Sequence, residues 1–599
     1  MLNGKTVVAT LAIVAFLLLG MGLADELEDN WGDFLHYTKI GRFDLAKGYA
    51  QAVLQSNPDP VKLLALAKAN EQGYQIMLKV NEVAPDAELA QLTGEILAII
   101  EKGQFTKRSN AAIIAAEVRR LSANERGWLT AVKRLQNAGE YAIPLMLDAL
   151  ADETRESEHP NIIRALSFIG KDAVRPLAAA LQTDNVPIKA EIIKAMGTIG
   201  YPQSLPYLQY VVENDSSAEL RGLAKESLNK INPGASKVPS ARIFFQLAEN
   251  YYYHAESLTP KEDADFGNIW FWDATAGTLV AEQVNRGYFY ELMSMRCCEW
   301  ALRADPTLGN AIALWIASFF KAESAGVEMP SYFGATHADA LVYATTAGVE
   351  YLHEALARAV KDNNAYVALG VVEALATTAG EKSLLYTVGP AQPLAQALSF
   401  KNRAVRYSAA IAIAAAGPKE RFAEHKLVVG NLAEALGQTP QVASPEDADL
   451  WSPQVADTYA LRAARVMFKL AQSRNRVIDL SLARNALISA TGDSRPQMQV
   501  LAGQVLAYLN SPDAQRAIAA MALSQSNSLD VRVSAFESLA ESAKLNGNML
   551  VEQMIDDIYA LIGTGETDTK LRSAAASAYG ALNLPSMKVK DLILDQSKS

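Results

Sequence analysis

NIIRALSFIGKDAVRPLAAALQTDNVPIKAEIIKAMGTIGYPQSLPYLQY, residues 161–210, carries one pattern twice, thirty residues apart. Ile169-Gly170 closes one apolar-periodic stretch, and Val174-Arg175-Pro176-Leu177 opens the next. Thirty residues later Ile199-Gly200 and Ser204-Leu205-Pro206-Tyr207 do the same. Gly139 and Pro144 stand one period earlier, with Gly139 31 residues before Gly170. Glycine suits the left-handed position just past a helix. Proline is tolerated in a first helical turn, where its missing N–H has no intrahelical partner to lose. Between these markers apolar residues recur at three- and four-residue spacing, the stripe of a helix with one buried face. The unit is therefore a pair of helices, repeated.

A second phrase extends the repeat. A small apolar residue and Arg precede Ala by three residues and a large apolar residue by seven. It reads Leu220-Arg221…Ala224…Leu228, Val405-Arg406…Ala409…Ile413, Val531-Arg532…Ala535…Leu539 and Leu571-Arg572…Ala575…Tyr579. Weaker copies are Ile188-Lys189…Ile192…Met196 and Met498-Gln499…Ala502…Leu506. Self-similarity at about 30–40 residues marks an α-solenoid. The expected fold is all-α, an α-α superhelix of ARM/HEAT-like type with tetratricopeptide-like helical pairs. A polar or acidic residue often precedes this position by a few residues, such as Asp215, Asn402, Asp493 or Asp568. The expected role of Arg221, Arg406, Arg532 and Arg572 is thus a ladder of hydrogen bonds and ion pairs between neighbouring repeats.

The 599 residues are half hydrophobic, so there is ample surface to bury, and carry a net charge of −11. That balance disfavours nucleic acid as the main partner, since phosphate binding needs an excess of Lys and Arg. Lys5 precedes an apolar run from Val7 to Ala24, with Gly22-Leu23-Ala24 supplying small residues before Asp25. Residues 1–24 read as a secretory signal peptide, or as an N-terminal anchor if uncleaved. The expected location is the periplasm or cell envelope, with the membrane touched only through that segment. Two cysteines, Cys297 and Cys298, are adjacent, which does not make an exported disulfide scaffold.

Seven segments follow. After residues 1–24, residues 25–103 hold Tyr37, Gly41, Ala46, Leu54 and Pro58 at the spacing of a tetratricopeptide repeat. Residues 104–235 form a first HEAT-like array. Residues 236–338 are aromatic-rich: 18 of the chain's 46 Phe, Tyr and Trp fall between 241 and 335. With Ala301-Leu302…Asp305-Pro306 they read as tetratricopeptide-like and helical. A second HEAT-like array covers 339–438, a linker 439–456, and a third array 457–599. No segment shows a convincing alternating strand.

Chemistry is sparse. The six histidines are scattered, with no pair at the four-residue spacing of two metal ligands on one helix face. His353-Glu354 begins a zincin-like string, but Arg358 stands where the second histidine would. There is no phosphate-binding Gly-Lys-Ser/Thr loop, no Gly-x-Ser-x-Gly elbow and no Cys-x-x-Cys-His. No catalytic, cofactor or metal residue is assigned. Carboxylates at Glu256, Glu262, Asp263, Asp265 and Asp273 lie among the aromatics. They fit a core with a solvated rim, a partner-binding groove or a sugar site.

These phrases resemble HEAT repeats, including the short type of phycobilisome lyase-like proteins. The order of parts resembles a group of exported bacterial HEAT-repeat proteins of unassigned activity. Such proteins carry a Trp/Tyr-Trp-Asp element between two arrays, here Trp270-Phe271-Trp272-Asp273. The resemblance implies fold, and the lyase label does not carry over. The expected function is an exported, non-catalytic protein-interaction scaffold. A binder of glycan or envelope polymer, or a helper subunit of an exported enzyme, are the alternatives. Because Trp and Tyr dominate interface hot spots, the expected partner anchors are Tyr252, Trp270, Trp272 and Tyr288.

Overall fold

The computed structural model describes residues 26–82, 86–260, 265–326, 329–330, 338–438, 450–563, 568–585, 590 and 594. The signal or anchor at 1–24 and the first part of the 439–456 linker lie outside them. The chain forms two compact units, one of Met1–Pro306 with Val327–Gly334, the other of Thr307–Gly326 with Ala335–Ser599. The division falls inside the aromatic-rich segment.

The first unit begins with helices at 26–39, Phe43–Gln55, Pro60–Ala69, Glu71–Glu82 and Ala87–Ser109. Gly41, at φ +74°, makes the turn between the first two. Ala46 and Ala50 are fully buried among Trp31, Phe34, Leu63 and Ile96. Asp59 caps the helix that Pro60 opens, its side chain accepting from the Lys62 N–H at 2.8 Å.

The quoted stretch then folds as its spacing requires. First helices at Glu125–Ala138, His159–Leu166, Val186–Ile199 and Ala218–Ile231 alternate with second helices at Ala142–Ala151, Val174–Ala180 and Leu205–Asn214. Gly139, Gly170 and Gly200 take φ of +59°, +82° and +71°, the region in which a side chain is strained. Pro144, Pro176 and Pro206 each stand in the first turn of a second helix. Neighbouring first helices approach so closely that a Cβ on Gly197 would lie 2.5 Å from the Ser227 Cβ. One core runs through the array, and Ala235, Trp270 and Leu279 join it.

The segment 236–338 departs from the all-helical expectation. Helices Ser240–Tyr252 and Phe289–Ala304 flank an antiparallel hairpin, β1 (Phe266–Asp273) and β2 (Thr278–Asn285). Trp270 pairs with Ala281 and Trp272 with Leu279. The Asp273 carboxylate accepts from the N–H groups of Thr275 at 2.8 Å and Ala276 at 3.0 Å, and Gly277 at φ +66° closes the turn. Aromatic and β-branched residues favour this pleated state. The strand escaped pattern reading because Gly267, Asn268, Ile269 and Trp270 are all buried. A strand covered on both faces does not alternate.

The second unit repeats the helix pair. First helices at Ala365–Thr378, Arg403–Ala416, Pro453–Gln472, Pro496–Leu506, Leu529–Asn546 and Thr569–Ala581 pack in succession. Between them lie second helices at Pro393–Ala397, His425–Leu436, Arg484–Ala490, Pro512–Leu523 and Glu552–Gly563. The last four residues of the expected linker, from Pro453, already belong to a helix that Ser452 caps. The chain is an α-solenoid built of helix pairs.

Candidate functional site

The hairpin lies on the second helices of the first array, and Glu140 is its hub. The Glu140 carboxylate accepts from Asn268 Nδ2 at 2.8 Å, Trp270 Nε1 at 2.9 Å and Arg175 Nη2 at 3.1 Å. Asn268 Nδ2 also donates to the Tyr141 hydroxyl at 2.7 Å, and Thr278 Oγ1 to Asp148 at 2.8 Å. Burial raises the Tyr141 phenol above its ordinary value. Phe105 meets Phe266 and Tyr141 edge-on, at 5.1 and 5.8 Å between ring centres. Arg296 sits 4.1 Å above the Phe271 ring and Arg175 5.0 Å above that of Phe289.

This geometry places the expected anchors inside the unit. Tyr252, Trp270 and Tyr288 are 2, 6 and 3 % exposed, and Trp272 packs partly buried against the array core. A partner reaches the three buried rings only if the hairpin or its flanking helices move. Cys297 and Cys298 are fully buried on Phe289–Ala304 and form no disulfide. Burial pushes the Cys297 thiol far up.

What the aromatic segment leaves open is a cleft of about 310 Å³ between helices Leu205–Asn214 and Phe289–Ala304. Tyr207, Tyr210, Asn214, Asp215, Trp300 and Arg303 line it. Trp300 is stacked on Phe244 at 5.7 Å, Tyr210 meets it edge-on at 5.2 Å, and Arg303 lies 5.0 Å from its ring. Neither Tyr210 nor Trp300 was singled out from sequence. The available signal was local: Tyr207 and Tyr210, like Trp300 and Arg303, are three apart and so share a helix face. The acids expected among the aromatics do not converge. Asp273 makes the hairpin turn, Glu256 accepts from the Ser257 N–H, and Glu262 and Asp263 lie outside the described residues.

The repeated arginine clamps its own repeat first. Arg221 Nη1 donates to the carbonyls of Asp215 (2.7 Å) and Ser216 (3.0 Å). Arg406 Nη1 does the same with Phe400 (3.1 Å) and Lys401 (2.9 Å). In both the acceptors stand six and five residues earlier, in the loop entering the helix. Arg532 reaches the Ala522 carbonyl at 3.0 Å, and Arg572 lies in the first turn of Thr569–Ala581. Links onward also exist. Arg406 donates to Asn431 at 3.2 Å and Glu434 at 2.9 Å on the following helix. The stand-in Lys189 pairs with Asp215 at 2.7 Å, and Gln499 with Asn527 at 3.1 Å. Burial alone would raise the Asp215 carboxyl, but Lys189 and the Ser217 N–H hold it below its ordinary value. Asn402 and Asp568 serve instead as helix N-caps, and Asp493 pairs with Arg495.

Among the described residues no three His, Cys, Asp or Glu side chains are grouped to hold a metal ion. His254 contacts the buried Glu291 carboxylate at 2.7 Å and stacks on Tyr290. His353 is a core residue whose Nε2 lies 3.1 Å from the Ser383 carbonyl. No helix among the described residues is long and apolar enough to cross a membrane.

Residues 143–229 match the family model of HEAT repeats, the stretch whose helix pairs carry the glycine–proline spacing. Over that stretch the helix pairs are of HEAT type. No curated protein matches the chain. Solved structures similar to it include importin beta (12% identity, TM-score 0.24, covering 100% of this chain and 89% of that one). Kap95p, in a structure describing its binding to RanGDP, gives 11%, 0.21, 97% and 86%. An engineered protein gives 14%, 0.22, 92% and 99%. At these TM-scores the likeness carries no argument; the assignment rests on the matched segment and on the helix pairs themselves.

Proposed function

We propose that the protein is an exported, non-catalytic scaffold that holds a protein partner, built of HEAT repeats with a tetratricopeptide-like helical start. The observation that carries this is the cleft at Trp300, where a Trp, two Tyr and an exposed Arg meet beside a packed array. Trp, Tyr and Arg are enriched among interface hot spots. Export rests on the apolar run from Val7 to Ala24. The test is a photo-crosslinking residue at Asn214, on the cleft rim, in the native cell. A discrete protein adduct, missing when the probe is moved to exposed Leu129, supports the scaffold; no adduct at Asn214 refutes it. N-terminal sequencing of the recovered chain reads export directly, with Asp25 first if the signal is cleaved.

A glycan binder is the second reading, favoured by Asn214 and Asp215 beside aromatic rings. It is the weaker one, because Phe244 and Arg303 occupy the ring of Trp300 on which a sugar would stack. Binding on a glycan array that Asn214→Ala abolishes would reverse this order.

A further inference from the structure

The second unit carries a cleft of about 440 Å³ where two first helices, Arg403–Ala416 and Pro453–Gln472, end side by side. Its floor is apolar: Ala414, Pro418, Leu470 and Val477. Its rim is cationic: Lys419, Lys469, Arg474 and Arg476. All four are exposed, and Arg465 stands one turn below Lys469 on the same helix. Lys419 pairs with Glu381 at 3.1 Å. Among the described residues the side chains of Lys469, Arg474 and Arg476 have no hydrogen-bond or ion-pair partner.

Cations at helix C-termini have an ordinary explanation, the helix dipole, so the magnitudes decide. Each helix end carries about half a negative charge. Two such ends and Glu381 together offset about two of the four cations, leaving roughly two positive charges in excess. Glu420 and Arg421, next along the loop, cancel, and Asp479 accepts from the Ser481 N–H at 3.0 Å as a helix cap. From 458 to 478 the chain has five basic residues and no acidic one, in a protein of net charge −11. The loop that presents Arg474 and Arg476 is pinned. Asn475 donates to the Pro418 carbonyl at 2.9 Å and accepts from Val477 and Ile478 N–H at 2.9 and 2.8 Å.

We propose that this cleft docks an acidic peptide segment of a protein partner. The proposal rests on the scaffold reading and names the partner chemistry. A small apolar floor inside a cationic rim suits carboxylates flanking apolar side chains. The volume lies in the range of about 300–1,000 Å³ typical of ligand pockets. A nucleic acid backbone needs a longer basic track, and the chain's overall charge repels it.

The experiment uses the full chain and fluorescein-labelled octaglutamate, read by fluorescence anisotropy at low and high salt. Wild type is expected to bind, more weakly as salt rises. R474E/R476E is expected to lose about tenfold or more in affinity, as reversal of paired interface charges does. K225E/K230E, the same charge change on helix Ala218–Ile231 of the first unit, should leave affinity unchanged. Helical circular dichroism and melting temperature check folding, and R474Q/R476Q carries the same expectation if the reversal fails to fold. Three results overturn the proposal: no binding by wild type, equal losses in both reversed variants, or tighter binding of an oligonucleotide of equal charge. A wild type that gives the Asn214 adduct but binds no octaglutamate would keep the scaffold and remove the cleft.

Discussion

Arg406 makes two loop-carbonyl bonds, one bond to Asn431 and an ion pair to Glu434, whereas Arg221 makes the loop bonds only. Hydrogen bonds to charged groups contribute about 1.5–3 kcal/mol each when buried and less when wet. Arg406→Ala is therefore expected to cost more than Arg221→Ala. Hydrogen exchange should show helix His425–Leu436 losing protection by about tenfold or more, since a sub-global opening reports its local free energy. Unchanged protection there would mean Arg406 does not tie one helix to the next. His353 gives a pH dependence of definite sign. Burial lowers its pKa from 6.5 to about 4. Between those values the unfolded chain holds a proton that the folded chain lacks. Stability is flat above about 6.5 and falls as pH drops toward 4, by up to about 3 kcal/mol. In His353→Leu the urea midpoint should lose that part of its slope between pH 6.5 and 4; an unaltered slope would exonerate the imidazole.

At the scale of elements the hairpin is the informative case. Trp270→Phe keeps an aromatic ring at the site but trims the indole and removes the N–H whose hydrogen bond Glu140 accepts. Because a hydrogen bond to a carboxylate is lost, about 1.5–3 kcal/mol of hairpin docking should go with it. Amides of 266–285 should then exchange faster while helices Val186–Ile199 and Ala218–Ile231 stay protected. Equal loosening of those helices would show that hairpin and array open as one. The repeat helices were legible beforehand because their markers are local: a glycine at positive φ, a proline in the first turn, an apolar stripe between. The hairpin was not, because its buried strand has no period. The face it covers was not either, since the bonds from Asn268 and Trp270 to Glu140 span about 130 residues. For the same reason sequence ranked the aromatics by type and density, which selects rings for burial as readily as for display. Trp300, partly buried beside exposed Arg303, needed the fold to be distinguished from Trp270.

For the molecule as a whole, stacked repeats touch mainly their neighbours, so stability is a sum of local terms rather than one cooperative block. Calorimetry is expected to give a calorimetric enthalpy larger than the van't Hoff enthalpy, the mark of more than two states. A ratio of one would mean that both units melt together. Architecture was readable from sequence at this scale because a repeat states its fold many times over. The division near Pro306 was not, since Ala301-Leu302…Asp305-Pro306 looks like one more helix end. The cationic cleft was equally hidden: Lys419 and Lys469 are 50 residues apart and meet only when two helix ends align.

The paired thiols of Cys297 and Cys298 have a use of their own. Both lie at zero exposure on the helix that backs the hairpin, and burial keeps Cys297 protonated. A thiol reacts as the thiolate and only when reached. In an oxidising compartment the pair is thereby shielded for as long as Phe289–Ala304 stays folded. It also serves as a gauge: alkylation by iodoacetamide should proceed in proportion to the fraction of time that helix is open. Trp270→Phe should leave the rate unchanged if the hairpin lifts alone, and quicken it if the helix follows.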